Sequence, residues 1–301
     1  MAYDLIVVGG GFAGLSAAMQ FARARRKVLV VDAGHPRNRF AKTSHGFLGQ
    51  DGKPPREIVR EGKRQLALYP TVEFADVEAV TARAVEGGFS ISLAHGRQEF
   101  ALRLVLATGV RDELPPIPGM QERWGITVLH CPYCHGYEVR NQAVGILANH
   151  PLSLHQAVLL PDWGPTTYFT QGVFEPDDEQ AADLTERGVR IERTPIVELL
   201  GKAPVLEAVR LSDDRIVPVA ALFTAPKTHM ASSLAEQLGC AFDDGPLGAY
   251  IRVDDRKETT VAGVFAAGDA ASPMANATLA SATGVMAGLG AHQSLIVRKA
   301  S

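Results

Sequence analysis

Hydrophobic residues fall in short blocks along the chain, and the blocks alternate between two periods. Leu5, Ile6, Val7 and Val8 form an unbroken apolar run that stops at Gly9. A run of this length bounded by glycine predicts a buried strand over residues 3–8. Leu15, Ala18, Met19 and Ala22 then recur at i, i+3, i+4 and i+7, the face of a helix. Arg23, Arg25, Arg26 and Lys27 gather at its end, where cations suit the helix dipole. Residues 28–31 form a second apolar strand closed by Asp32. The opening is therefore a strand–turn–helix–strand unit.

The pattern continues less regularly. Residues 42–55 carry Gly46, Gly49, Gly52, Pro54 and Pro55 and read as loop. Residues 57–68 predict a helix, and 72–93 hold short strands broken at Gly87-Gly88. An apolar strand over 104–107 ends in Thr108-Gly109. Pro115-Pro116 and Pro118-Gly119 then forbid helix and read as a linker between domains. Beyond it a weaker αβ alternation appears: strands over 143–147, 166–170 and 189–192, helices over 152–160 and 177–187. Residues 220–224 look like a strand returning to the first domain. A last strand over 264–267 meets Gly268-Asp269, and a helix over 276–295 is so dense in alanine and glycine that something must pack closely against it.

Composition narrows the class. The chain has 301 residues, 46% hydrophobic and 21% charged, and a net charge of −3. These values suit a globular protein of two domains and offer no basic field for nucleic acid or anionic membrane. No apolar run reaches bilayer length, and Met1-Ala2-Tyr3-Asp4 lacks the basic start of a signal peptide, so a cytoplasmic protein is expected. Of three cysteines, two share one motif, which in a reducing compartment favours catalysis or metal binding over a structural disulfide.

Gly9, Gly11 and Gly14 make G-x-G-x-x-G between the first strand and helix, with Phe12 and Ala13 inside the turn. Gly9 permits the sharp bend, Gly11 lets a pyrophosphate approach the backbone, and Gly14 lets helix and strand lie close. The helix N-terminus offers N–H groups to phosphate. Asp32 stands where a carboxylate would hold ribose hydroxyls, and it disfavours a 2′-phosphate there. Gly268-Asp269 fits a second contact with the same cofactor, although a strand-to-helix turn alone would also explain it.

Cys131-Pro132-Tyr133-Cys134-His135 is the second motif. C-x-x-C-H is also a haem attachment string, but that would need export. Zinc would need about four ligands, usually from two separated pairs, and no second C-x-x-C exists. A glutaredoxin active site resembles it, yet here the motif lies mid-chain and Gly136 follows closely. Redox chemistry needs one thiol to attack and another to resolve the mixed disulfide. His130 or His135 could lower a thiol pKa or move its proton, and His135 adjoins the second sulfur. Cys240 stands alone and reads as an inert buried thiol. Trp124 and Trp163 read as packing residues.

Taken in order, these motifs resemble the low-molecular-weight thioredoxin reductases and their flavin-dependent dithiol oxidase relatives. The similarity runs from Gly9–Gly14 through Ala107-Thr108-Gly109 and the C-x-x-C to Gly263-Val264-Phe265-Ala266-Ala267-Gly268-Asp269. It implies an α/β fold: a Rossmann-like FAD domain (βαβ, three-layer) from residues 1–112 plus 226–301, interrupted by a second Rossmann-like domain over 113–225. It implies FAD contacts from Gly9, Gly11, Phe12, Ala13, Gly14, Asp32, Ala107, Thr108, Gly109, Gly268 and Asp269. Cys134 would face the flavin, Cys131 would exchange with substrate, His135 would carry protons, and no metal is called for. Asn38, Arg39 and His45 lie where the family's loop meets FAD, and read as solvated. Homodimerisation is implied as well.

Two departures shape the functional expectation. Thioredoxin reductases have Asp after the second cysteine, where this chain has His135, as in the dithiol oxidase branch. Their NADPH domain also carries a glycine fingerprint and an arginine patch. Here Ala148-Asn149-His150-Pro151-Leu152-Ser153 and Phe169-Thr170-Gln171-Gly172-Val173-Phe174 replace them, so NADP(H) binding is doubtful. The expectation is an FAD-dependent dithiol oxidase acting on a small-molecule dithiol, with electrons leaving to oxygen or another acceptor. Alternatives are an NADPH- or ferredoxin-linked reductase of a thioredoxin-like protein, and a flavin redox sensor without turnover.

Overall fold

A computed structural model describes residues 3–296. The chain divides into two compact units, one formed by residues 1–39, 53–111 and 228–301, the other by 40–52 and 112–227.

The first unit opens with β1 (Tyr3–Val8), α1 (Phe12–Arg23), β2 (Val28–Val31), α2 (Pro55–Leu66), β3 (Val72–Ala75), β4 (Ala79–Val85), β5 (Gly88–Leu93) and β6 (Gln98–Leu106). Its sheet runs β3-β2-β1-β6-β5-β4. β6 changes partner along its length: residues 98–101 pair antiparallel with β5, and from Ala101 onward it pairs parallel with β1. β7 (Val110–Glu113) then carries the chain out of the unit.

The second unit contains β8 (Val128–Leu129), α3 (Pro132–His135), β9 (Val144–Leu147), α4 (Ser153–Leu159), β10 (Thr166–Phe169), α5 (Asp178–Glu186), β11 (Arg190–Glu192), β12 (Ile196–Leu200), β13 (Ala208–Leu211), β14 (Ile216–Pro218) and β15 (Ala221–Phe223). Its parallel sheet runs β11-β10-β9-β15-β8, and β12-β13-β14 form a separate antiparallel sheet. Residues 220–224 do not return to the first unit as the sequence suggests. β15 lies between β9 and β8, its apolar Ala221, Leu222 and Phe223 fully buried, because a central parallel strand needs both faces apolar. Phe40–Gly52 also belongs to this unit, where Phe40 lies against Gly125 and packs on the cluster around Met120 and Trp124.

The chain re-enters the first unit through β16 (Lys227–Met230), α6 (Leu234–Gln237), β17 (Phe242–Asp244), β18 (Ala249–Ile251), β19 (Val264–Ala266) and α7 (Ala277–Ile296). β19 pairs parallel with β6.

Both units are three-layered, as a Rossmann-like fold requires. In the first, Leu5, Val7, Val28, Val30 and Val105 face α1 and α7, while Ile6, Val8, Leu29, Val31 and Leu104 face the β4–β5 side. The period-two alternation of strand side chains splits one apolar run between two cores. In the second, Val144, Ile146 and Tyr168 pack on α4 and α5, while Leu147 and Phe169 pack on the antiparallel sheet.

Candidate active site

The first unit gathers one set of candidate residues at the C-terminal ends of β1, β2, β6 and β19. Gly9 has φ +107°, and a Cβ there would lie 2.2 Å from the Ala107 carbonyl oxygen. A Cβ on Gly14 would sit 1.8 Å from the Gly9 carbonyl oxygen, so only glycine lets α1 start this close to β1. A Cβ on Gly10 would run into the Asp32 carboxylate, whereas at Gly11 nothing lies within 4 Å. The loop is thus closed against the strands and open outward, a cradle that suits a pyrophosphate at a helix N-terminus. Gly11 is the N-cap of α1 and provides no side-chain cap.

The flanking groups converge there. The Ala107 N–H donates to the Val8 carbonyl at 2.8 Å, which seats the Ala107-Thr108-Gly109 turn on the loop. A Cβ on Gly268 would touch Ala13 at 3.0 Å, so the Gly268-Asp269 turn borders the first turn of α1. Sequence reasoning missed two cations in this arrangement. Lys63 of α2 places Nζ 2.9 Å from Asp32 and 3.3 Å from Asp76, and Arg37 places Nη1 2.9 Å from Asp269. Burial works against the Asp32 carboxylate, yet the Lys63 contact and the Gly34 N–H hold its pKa below the usual range. Asp32 is therefore an ionised acceptor of the kind that ribose hydroxyls can use. Lys63 is legible only as one polar position of an amphipathic helix, and Arg37 only as a loop cation.

The second unit holds the dithiol. Cys131 is the N-cap of α3, so both sulfurs ride one helical turn, and the Cys134 N–H donates to the Cys131 carbonyl at 3.2 Å. No disulfide joins Cys131 to Cys134 in this structure. The Cys131 pKa is lowered to about 7, first by a hydrogen bond with the Cys134 side chain. Burial opposes the shift, and the N–H groups of Cys134 and Tyr133 support the thiolate without closing a full side-chain cap. Burial pushes the His135 pKa down, Glu138 opposes this, and His45 and His130 reinforce it. His135 is thus neutral at neutral pH and able to accept a proton.

His45 is not simply solvated, as its sequence context suggests. It is half-buried, with Nε2 2.9 Å from Thr43 Oγ1 and 3.4 Å from Glu138 Oε1, and Nδ1 3.5 Å from Asp51. Arg39 donates to the Pro36 carbonyl at 3.1 Å. Cys240 is buried in the first unit, and burial raises its pKa. Trp124 packs in a core cluster and Trp163 meets Tyr133 edge to face, both as packing residues. Among the described residues no group of three or more His, Cys, Asp or Glu side chains could hold a metal.

The end of the second parallel sheet is tied by its own side chains. The strand order reverses between β9 and β15, where open α/β sheets bind ligands. Asn149 spans that point: Nδ2 donates to the Ala225 carbonyl at 2.7 Å, and Oδ1 accepts from Thr224 Oγ1 at 3.0 Å and from the Ala225 N–H at 3.3 Å. After β10, Thr170 donates to Glu175 at 2.5 Å, and Glu175 pairs with Arg193 at 3.1 Å. A carboxylate there is a poor neighbour for a phosphate.

The model of the pyridine nucleotide-disulphide oxidoreductase family matches residues 3–147 and 175–284, and the chain belongs to that family. Within it, the protein is a thioredoxin reductase-like flavin oxidoreductase. It is similar to a solved oxidoreductase from Agrobacterium tumefaciens at 50% identity and TM-score 0.94, covering 98% of this chain and 99% of that one. The solved HlmI is 35% identical with TM-score 0.90, covering 98% and 93%. Thioredoxin reductase tcpT of Claviceps purpurea is 31% identical over 97% of this chain and 94% of its own. No described helix is long and apolar enough to cross a membrane.

Proposed function

We propose that the protein is an FAD-dependent dithiol oxidase. The observation that carries this reading is a thiolate-ready Cys131–Cys134 pair in a unit whose own nucleotide-binding edge is occupied by Asn149. Gly9, Gly11, Phe12, Ala13, Gly14, Ala107, Thr108 and Gly109 would cradle the cofactor, with Asp32 on its ribose and Gly268-Asp269 closing the cradle. When bound, FAD would accept the two electrons and two protons of the dithiol and pass them to oxygen or another acceptor.

The residues do the rest. In the oxidised enzyme a substrate thiolate attacks Cys131 Sγ. The Cys131–Cys134 bond breaks, a mixed disulfide forms, and Cys134 leaves as thiolate. The second substrate thiolate then attacks the substrate sulfur of that mixed disulfide. The substrate leaves oxidised to its disulfide, and Cys131 is released with both electrons now on the enzyme pair. A thiol with a pKa near 7 is a good leaving group for that last step. His135, neutral and next to Cys134 in sequence, accepts one substrate-thiol proton at a time and hands it on before the second is released. A cytoplasmic homodimer acting on a small-molecule dithiol is our working assignment.

Anaerobic addition of a dithiol should bleach the flavin absorbance, air should restore it, and Cys131→Ser should abolish the bleaching. A flavin unmoved by every dithiol tried overturns the reading. The names of relatives such as tcpT favour a second one, an NADPH-linked reductase of a thioredoxin-like protein. Rapid flavin reduction by micromolar NADPH would select it.

A further inference from the structure

The side chains that tie the nucleotide edge of the second unit connect to His130, the residue before the dithiol. Gln156 of α4 is buried, and its Nε2 donates to the His130 carbonyl at 2.6 Å. A carbonyl accepts only, so the amide nitrogen must face it. The Gln156 Oε1 is then left buried without a hydrogen-bond partner. The His130 ring is held as well, with Nδ1 3.2 Å from the Thr224 carbonyl oxygen, which places the ring proton on Nδ1. Thr224 is fully buried and bonded through its hydroxyl to Asn149. One chain of contacts therefore runs Asn149–Thr224–His130–Gln156 and ends on the peptide that precedes Cys131.

A buried amide that leaves its own oxygen unpaired contributes little to stability, and methionine would fill the same space. Such a group calls for an explanation. Here its nitrogen fixes the plane of the His130–Cys131 peptide. That plane sets the direction in which Cys131 Sγ leaves the backbone, and so its aim at the Tyr133 and Cys134 N–H groups and at the Cys134 sulfur.

We infer that Gln156, supported by Asn149 and Thr224, is a positioning residue for Cys131, so that the edge where a pyridine nucleotide would bind serves instead to hold the redox loop. This deepens the dithiol reading and rests on Cys131 acting as the exchange thiol. The test is pulsed iodoacetamide alkylation of the reduced, FAD-loaded protein across a pH series, with Cys131 followed by peptide mass spectrometry. Gln156→Met keeps the volume and removes both the donor and the orphaned oxygen. It should leave the melting temperature unchanged or raised, yet move the Cys131 midpoint to higher pH and slow alkylation at pH 7 by about threefold to tenfold. Asn149→Ala should shift the midpoint in the same direction by a smaller factor. An unmoved midpoint in folded Gln156→Met protein overturns the inference, and a melting temperature that falls while the midpoint stays would mark Gln156 as packing only. If the midpoint shifts but no dithiol bleaches the wild-type flavin, the inference stands and the oxidase reading alone is lost.

Discussion

The three thiols of this chain differ in environment, and the difference is measurable. Cys131 has a pKa lowered to about 7 by Cys134, while burial beside Thr259 raises that of Cys240. A lowered folded pKa means that thiolate is present above about pH 7 and lost as pH falls through it. In reduced protein, Cys131 alkylation should therefore be half-maximal near pH 7, and Cys240 should stay unmodified while the fold is intact. Peptide mapping after a brief iodoacetamide pulse checks both. The C-x-x-C and glycine signals were legible because each depends on spacing within a few residues. Lys63, Arg37 and His45 were not, because their meaning comes from partners 31, 232 and 93 positions away.

Helix α7 shows how far composition alone can lead. Its richness in alanine and glycine implies a close neighbour, and α1 is that neighbour. A Cβ on Gly284 would lie 2.1 Å from the Ala13 carbonyl oxygen, and one on Gly288 would lie 2.6 Å from that of Ala17. Gly284→Val should force the helices apart at a cost of ~1–3 kcal/mol, lowering Tm by roughly 5 °C. Because Ala13 belongs to the glycine loop, the variant should also retain less FAD after gel filtration. A thermal melt and the flavin-to-protein absorbance ratio test both effects. The antiparallel strands β12–β14 escaped the sequence reading for a physical reason. They are short, and exposed residues such as Val197 and Ile216 interrupt the polar side of the expected alternation. Several boundaries moved by a residue or two, as at α2, which starts at Pro55 because proline suits the first turn of a helix, whereas the strand expected over 104–107 begins at Gln98.

At the scale of the molecule, the same three-layer plan occurs twice, once with an open glycine cradle and once with a side-chain tie. The opening βαβ unit was readable from its two periods, and the second was readable only as a weaker echo. If that contrast governs cofactor use, NADPH or NADH should leave the bound flavin oxidised over many seconds under anaerobic conditions, while a dithiol reduces it. Stopped-flow spectra with each reductant in turn decide this, and fast reduction by either nucleotide would contradict it.

Phe40–Gly52 is separated in sequence from the rest of the unit it packs into. That unit therefore has no single contiguous coding stretch. A fragment begun at the proline linker would be made without Phe40 and without His45, and so without the contacts each makes inside that unit. Shuffling by one crossover at each end of the insert would leave a piece behind, which ties the inheritance of both halves together.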